Sequence, residues 1–162
     1  MEKHFIPNTN GVIFANKNKF SFSIDSILLS HFANVKKDKI LIDIGAGTGI
    51  IGLRINFLNS LKEVYLIEIQ DENAKLIDCS ISENNLKNVN LLHKDLKLCY
   101  EDFENSSVDY IVSNPPYKKI NTGILNEDEN FLISRYEYCL KLENILDFSY
   151  KKLKSNWKVF FI

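Results

Sequence analysis

Asn114-Pro115-Pro116-Tyr117 gathers the residue types best suited to chemistry in this chain. An Asn side-chain oxygen and a backbone carbonyl, held by two prolines whose φ is fixed, make two acceptors aimed at one point in front of an aromatic face. A planar amino group with two hydrogens fits that point. The nitrogen of an adenine, cytosine or amide NH2 is a poor nucleophile, because its lone pair is delocalised into a π system. Acceptors on both hydrogens favour the pyramidal form and free the lone pair for attack. The competing reading is structural, since Asn and Pro are ordinary turn residues. The four residues follow an apolar run, Val108 to Ser113, that reads as a buried strand. They therefore sit at a strand's carboxyl end, where ligands bind in open α/β sheets.

A second segment decides between the two readings. Lys39 to Ile44 is another buried-strand run, followed by Gly45-Ala46-Gly47-Thr48-Gly49 and an apolar-periodic helix from Ile50 to about Leu61. Strand, glycine turn and helix cradle a nucleotide, because missing β-carbons let the ligand approach the backbone at a helix N-terminus. Gly47-Thr48-Gly49-Ile50-Ile51-Gly52 also matches the dinucleotide fingerprint G-x-G-x-x-G, but two residues late, since the first glycine after the strand is Gly45. Asp43, near the strand's end, is placed to take the ammonium of an amino-acid-bearing ligand. Asp43-x-Gly45-x-Gly47-x-Gly49 resembles the pattern of S-adenosylmethionine enzymes.

Two further acids stand at strand ends. Glu63 to Glu68 reads as the next strand, and Glu68, roughly 20 residues past the glycines, is placed to accept both hydroxyls of a ribose. Its bland alternative is a solvated strand-end acid. Val89 to Asp95 reads as a strand whose final Asp95 is placed to accept from an adenine amine while the Leu96 N–H meets a ring nitrogen. A helix or turn cap is the competing role for Asp95.

Asp43 to Gly49, Glu68-Ile69-Gln70, Asp95 and Asn114-Pro115-Pro116-Tyr117 together resemble the amino-group branch of the class I, Rossmann-like methyltransferases. Phe22-Ser23-Ile24-Asp25-Ser26-Ile27-Leu28-Leu29 and Ser134-Arg135-Tyr136-Glu137 are similar to segments of bacterial tRNA adenine-N6 methyltransferases that act in the anticodon loop of a valine tRNA. The resemblance implies an α/β fold with a Rossmann-like, doubly wound, mostly parallel sheet. It implies S-adenosylmethionine as cofactor, held by Asp43, Gly45, Gly47, Gly49, Glu68, Ile69, Asp95, Leu96 and Asn114. Catalysis would rest on Asn114, Pro115, Pro116 and Tyr117, with the exocyclic amine of an adenine in RNA, tRNA first, as the methyl acceptor. Glutamine methyltransferases of translation release factors share Asn-Pro-Pro-Tyr, but they carry a helical N-terminal domain, and only about 38 residues precede the first strand here. A cofactor-binding, inactive remnant is the third reading. It arises because the sequence stops within what would be the fifth strand, Trp157 to Ile162, leaving the last helix and closing strands unaccounted for. That strand would then be an exposed apolar edge and a route to self-association.

The elements that must position these groups fit one unit of 162 residues. Residues 1–38 read as an N-terminal hairpin and helix belonging to the same domain as 39–162, the incomplete methyltransferase part. Gly11 to Ala15 and Lys19 to Phe22 suggest the hairpin. A helix from about Asp25 to Asn34 follows, with Asp25 as its cap first and a cofactor-pocket residue second, and Ile27, Leu28 and Phe32 on one face. Asp71 to Asn85 is a helix presenting Ala74, Ile77 and Ile81, and Glu137 to Lys154 another presenting Leu140, Ile145 and Leu146. Lys118 to Asn130 reads as a surface loop beside the tetrapeptide, of the kind from which lids are drawn.

Net charge is −1, although residues 1–39 hold six Lys against Glu2, Asp25 and Asp38. That distribution is a solvated lysine-rich surface first and an RNA-facing patch second. Cys79, Cys99 and Cys139 lie far apart and read as small buried hydrophobes in a reducing compartment. His4, His31 and His93 are equally scattered, so no metal site is expected. Met1 to Asn10 lacks an apolar signal core, and no run approaches the ~20 residues of a membrane span. The expected location is the cytoplasm.

Overall fold

In a computed structural model the described residues are 1–16, 23–115 and 140–162. Five strands form one parallel sheet: β3 (Ile40–Ile44), β4 (Glu63–Glu68), β5 (Val89–His93), β6 (Val108–Ser113) and β7 (Leu153–Phe161). Their spatial order is β5-β4-β3-β6-β7. The chain thus works outward from β3 in one direction and then returns to its other side. Such a reversal leaves a crevice beyond the carboxyl ends of β3 and β6. Asp43 pairs with Val112 and Ile44 with Ser113, so the turn after β3 and the segment after β6 emerge side by side.

The strand sequences explain the burial. Parallel strands covered on both faces read as near-continuous apolar runs, and all six residues of β6 are buried. Alternate residues serve opposite faces. Leu41, Val64, Leu66, Tyr110 and Val112 pack under α1 (Ile24–Phe32), α2 (Ile50–Asn59) and α3 (Asp71–Glu83), whereas Ile42, Ile44, Ile67 and Ile111 meet Ile145 and Phe148 of α4 (Leu142–Lys152). Ala74 and Ile77 of α3 are buried as its periodicity predicts, with Ile81 packed at the margin.

Two expectations, for α1 and for α4, need correction. A hairpin joins β1 (Glu2–Phe5) to β2 (Val12–Ala15), with Phe5 opposite Val12, so the Gly11–Ala15 run has a partner that precedes it in sequence, while the expected arm Lys19 to Phe22 lies outside the described residues. The turn between them explains why. Thr9 N donates to Ile6 O at 3.2 Å, Ile6 N donates to Gly11 O at 2.9 Å, and Asn8 takes φ 60°, a conformation Asn tolerates. Asn84 and Ser80 of α3 then bond the backbone of Val12 and Phe14, which fastens the hairpin to the domain, and Ile6 and Ile13 enter the same core as the sheet.

In α1, the cap is Ser23, whose side chain accepts from Ser26 N at 3.1 Å, while Asp25 lies in the first turn. Ser, not Asp, holds the position whose φ and ψ lie outside the helix. The buried face of α1 is Ser26, Leu29 and Ser30; Leu28 and Phe32 are exposed. Finally, α4 begins at Leu142, leaving Leu140 outside it, and Leu146 is exposed. Its buried face carries Ile145, Phe148, Ser149 and Lys152. Strand β7 starts at once at Leu153, because Leu153 pairs with Val108 and a register shift restores pairing at Tyr110 with Lys158.

Cys99 is buried, Cys79 half-buried, and Cys139 falls outside the described residues. So do the arm Lys19 to Phe22 of the expected hairpin, the expected loop, Ser134 to Glu137, and both Pro116 and Tyr117. Among the described residues no helix is long and apolar enough to cross a membrane, and no group of three metal-ligating side chains occurs.

Candidate active site

Gly45, Gly47 and Gly49 all take positive φ, at 68°, 59° and 84°. The turn is tight: Gly45 N and Ala46 N both donate to Ile67 O, at 2.9 and 3.0 Å, and Gly49 N to Ala46 O at 2.8 Å. A β-carbon on Gly45 would stand 2.7 Å from Leu140 Cδ2, whereas one on Gly47 would meet nothing within 4 Å. The backbone at Gly47 is therefore open to an approaching ligand, and a side chain there would occupy that approach. Gly52 has a different task. Its N–H donates to Asp43 Oδ2 at 2.9 Å, and a β-carbon would lie 2.4 Å from Leu66 Cδ2, so it lets α2 sit close on the sheet.

Glu68 lies at the end of β4 and is 1% exposed. Its Oε2 accepts from Gly47 N at 2.7 Å and its Oε1 from Gln70 N at 2.8 Å. The Ile69 N–H and the Asn73 side chain also bond this carboxylate, so the chain's own donors converge on both of its oxygens. Burial raises its pKa above the ordinary carboxylate value, against the opposing pull of the Gln70, Gly47 and Ile69 N–H groups. A solvated strand-end acid would show none of this.

Asp43 is wholly buried beneath the turn, with Oδ2 on Gly52 N and Oδ1 without a hydrogen-bond partner among the described residues. Burial pushes its pKa up to about 7, helped by the nearby Glu68 charge and resisted by the Gly52 N–H. An orphaned buried oxygen costs free energy on the order of 1–3 kcal/mol. It marks a place where a donor is wanted.

A cleft opens beside the turn and gathers Gly45, Glu68, Ile69, Asp95 and Leu96 of the sequence-derived cofactor set. Asp95 also caps the short 3-10 turn Leu96–Leu98, accepting from Lys97 N at 2.9 Å. The capping role and the cleft position therefore coexist. Ile44, Ile67, Lys94 and Leu140 complete the lining, and Lys94 and Leu140 carry no motif that would have announced them.

Across the crevice, Ser113 Oγ donates to Ile44 O at 2.8 Å, joining the ends of β6 and β3. Asn114 follows, half-buried, with Nδ2 donating to Ser26 Oγ at 3.0 Å and to Ser23 Oγ at 3.4 Å. Among the described residues its Oδ1 has no hydrogen bond. Pro115, the last described residue here, is also half-buried.

The geometry is that of a sheet whose glycine turn and polar strand end converge on one crevice. The methyltransferase small domain family matches residues 10–135, most of the chain. The chain belongs to that family. Among the relatives of this methyltransferase domain is the tRNA1(Val) (adenine(37)-N6)-methyltransferase of Haemophilus influenzae (strain 86-028NP), 30% identical over 140 residues, which are 85% of this chain and 59% of that protein. The release factor glutamine methyltransferase of Mycoplasma mycoides subsp. mycoides is 28% identical over 137 residues, 80% of this chain and 45% of that protein. The chain thus spans about three-fifths of the length of the tRNA-methyltransferase relatives it matches. Among solved structures, precorrin-6y C5,15-methyltransferase from Geobacter metallireducens superposes with TM-score 0.67 at 15% identity, covering 92% of this chain and 66% of that one. TYW2 of M. jannaschii, solved in complex with AdoMet, gives TM-score 0.64 at 18% identity, covering 97% and 60%. At such identities these two establish the fold, a mixed α/β sheet of the Rossmann-like methyltransferase kind.

Proposed function

We propose that this methyltransferase domain binds S-adenosylmethionine and transfers its methyl group to the exocyclic amine of an adenine in RNA, with tRNA the first candidate. The observation that carries the reading is the approach of two strand ends: Glu68 and the open backbone of Gly47 on one side, and Asn114 with an unpaired carboxamide oxygen on the other. The relatives' names support adenine in tRNA over other amines.

The residues present fit the cofactor. Glu68 lines the cleft with a charged acceptor for ribose hydroxyls, which would share its oxygens with the chain's own donors, the cleft beside Ile69 and Leu96 offers apolar walls for a base, and Asp95 supplies an acceptor at its rim. Asp43 offers its orphaned oxygen beneath the turn to a donor at the amino-acid end. When bound, S-adenosylmethionine supplies an electrophilic methyl group on a sulfonium. The protein's work is then positional. Asn114 Oδ1 and the Pro115 carbonyl accept the two hydrogens of the target amine and sharpen its lone pair. Tyr117 stacks on the ring, worth ~1–3 kcal/mol for an extruded base. No general base is needed, because the amine proton becomes acidic once the nitrogen is methylated.

The cytoplasm is the location proposed with an RNA substrate. The experiment is transfer of a labelled methyl group to total tRNA, to release factor and to neither. Asn114→Ala should leave cofactor affinity within about twofold and lower turnover roughly 100- to 1,000-fold, the cost of one preorganised polar contact at a reacting centre. Label on release factor glutamine instead of tRNA adenine replaces the substrate and keeps the mechanism. Failure to bind S-adenosylmethionine in calorimetry, with no label on either, overturns the reading.

A further inference from the structure

The carboxamide of Asn114 works in only one of its two orientations. With Oδ1 toward the target amine it accepts; turned over, it presents an NH2 against the amine's own hydrogens. The terminal torsion of Asn is soft and roughly two-fold, so the backbone alone does not choose. Its neighbours must.

Those neighbours are two hydroxyls at the start of α1. Ser23 Oγ is committed as an acceptor by Ser26 N, at 3.1 Å, because a backbone N–H can only donate. Ser26 Oγ lies 3.1 Å from Ser23 Oγ and 3.0 Å from Asn114 Nδ2. Either hydroxyl can donate to the other; with the Ser26 hydrogen on Ser23, Ser26 turns a lone pair to Asn114 and the chain of bonds ends on the Nδ2 side of the carboxamide. Ser26 is also 6% exposed, and it holds its hydroxyl differently from two other buried helical serines. Ser30 and Ser80 each donate back to a carbonyl of their own helix, Ile27 O at 2.7 Å and Leu76 O at 2.8 Å, whereas the Ser26 hydroxyl bonds Ser23 and Asn114.

We infer that Ser26, backed by Ser23, is a positioning residue that holds the Asn114 carboxamide with its oxygen toward the target amine. This rests on the function proposed above. It gives α1 a part in the reaction through Asn114. It also assigns the roles of the two serines: Ser23 closes the helix end and takes the longer bond from Asn114 Nδ2, at 3.4 Å, and Ser26 takes the shorter one, at 3.0 Å.

The test is Ser26→Ala in the 162-residue chain, which keeps the Ser23 cap and a good helix former in α1. Turnover on tRNA should fall about 10- to 100-fold, the scale of a misplaced catalytic group, while S-adenosylmethionine affinity stays within about twofold. Ser26→Thr, which restores a hydroxyl, should recover most of the rate. In an Asn114→Ala background Ser26→Ala should cost less than twofold, since its only route to the reaction is gone. Full turnover in Ser26→Ala overturns the inference, as does an undiminished loss in the Asn114→Ala background. A second readout needs no turnover: the side-chain NH2 signals of Asn114 in a nitrogen-15 spectrum, assigned by their loss in Asn114→Ala, should shift in Ser26→Ala while signals remote from α1 hold. An unmoved NH2 pair overturns the contact. If the parent protein transfers no methyl group to any amine, the functional reading falls on its own, and the NH2 signals still decide for or against Ser26.

Discussion

Two buried carboxylates, Asp43 and Glu68, carry opposite arrangements of hydrogen bonds, and each leads to a different measurement. Both oxygens of Glu68 accept backbone N–H groups. In Glu68→Gln an NH2 must therefore face the N–H of Gly47 or Gln70, donor against donor, and the charge is lost as well. A charge-assisted hydrogen bond is worth about 1.5–3 kcal/mol, so calorimetric affinity for S-adenosylmethionine should fall roughly 10- to 100-fold. Undiminished affinity would remove Glu68 from the cofactor site. Asp43 has one satisfied oxygen and one orphan, and burial raises its pKa from 3.8 to about 7. A carboxyl group whose folded pKa is raised favours the folded state fully below 3.8, and that advantage drains away as pH climbs through about 7. Without ligand, the melting temperature should decline between pH 4 and pH 7 more in the parent protein than in Asp43→Asn, which cannot titrate. Parallel declines in the two would assign the pH dependence to other groups.

At the scale of elements, α4 is held to its face of the sheet by Phe148, fully buried and packed edge-on against Tyr100 at 5.2 Å and Phe103 at 5.9 Å. Phe148→Ala should cost about 3–5 kcal/mol in denaturant titration. A cost under about 1 kcal/mol would mean that α4 contributes little to folding. The elements also show what a linear sequence displays and what it hides. β3, β4 and β6 announce themselves as apolar runs, and Gly45, Glu68 and Asn114 follow from standing at their ends, because a parallel sheet aligns carboxyl ends by construction. The hairpin was harder to read. β1 is Glu2-Lys3-His4-Phe5, with no buried residue among its alternately half-buried and exposed positions, so it lacks a hydrophobic signature. Its pairing is dictated by turn geometry at Asn8 and by Asn84 and Ser80 of α3, far along the chain. Ser26 is the extreme case. It meets Asn114 from 88 positions away, across the switch point of the sheet, and no periodicity in either segment records that contact.

For the molecule as a whole, the sheet order leaves its two outer strands, β5 and β7, with one partner each among the described residues. They are unlike. β5 is a short strand of five residues whose exposed positions are Asn90 and His93, polar groups that discourage pairing with another chain. β7 is longer and ends in Val159-Phe160-Phe161-Ile162, with Phe161 47% and Ile162 38% exposed. Only Lys154 and Lys158 interrupt it with charge, and Lys154 is drawn to Asp109 at 2.9 Å. We therefore expect the 162-residue chain to self-associate through this edge. Average mass by light scattering should rise with concentration. Phe161→Lys, at a site already half exposed, should suppress that rise without lowering the melting temperature, because it adds a charge to the edge and removes little from the core. A concentration-independent monomer in the parent would show that the β7 edge is covered within one molecule. A rise unchanged by Phe161→Lys would move the contact to another surface, of which the exposed side of α1, with Ile24, Leu28 and Phe32 four residues apart, is the next to test.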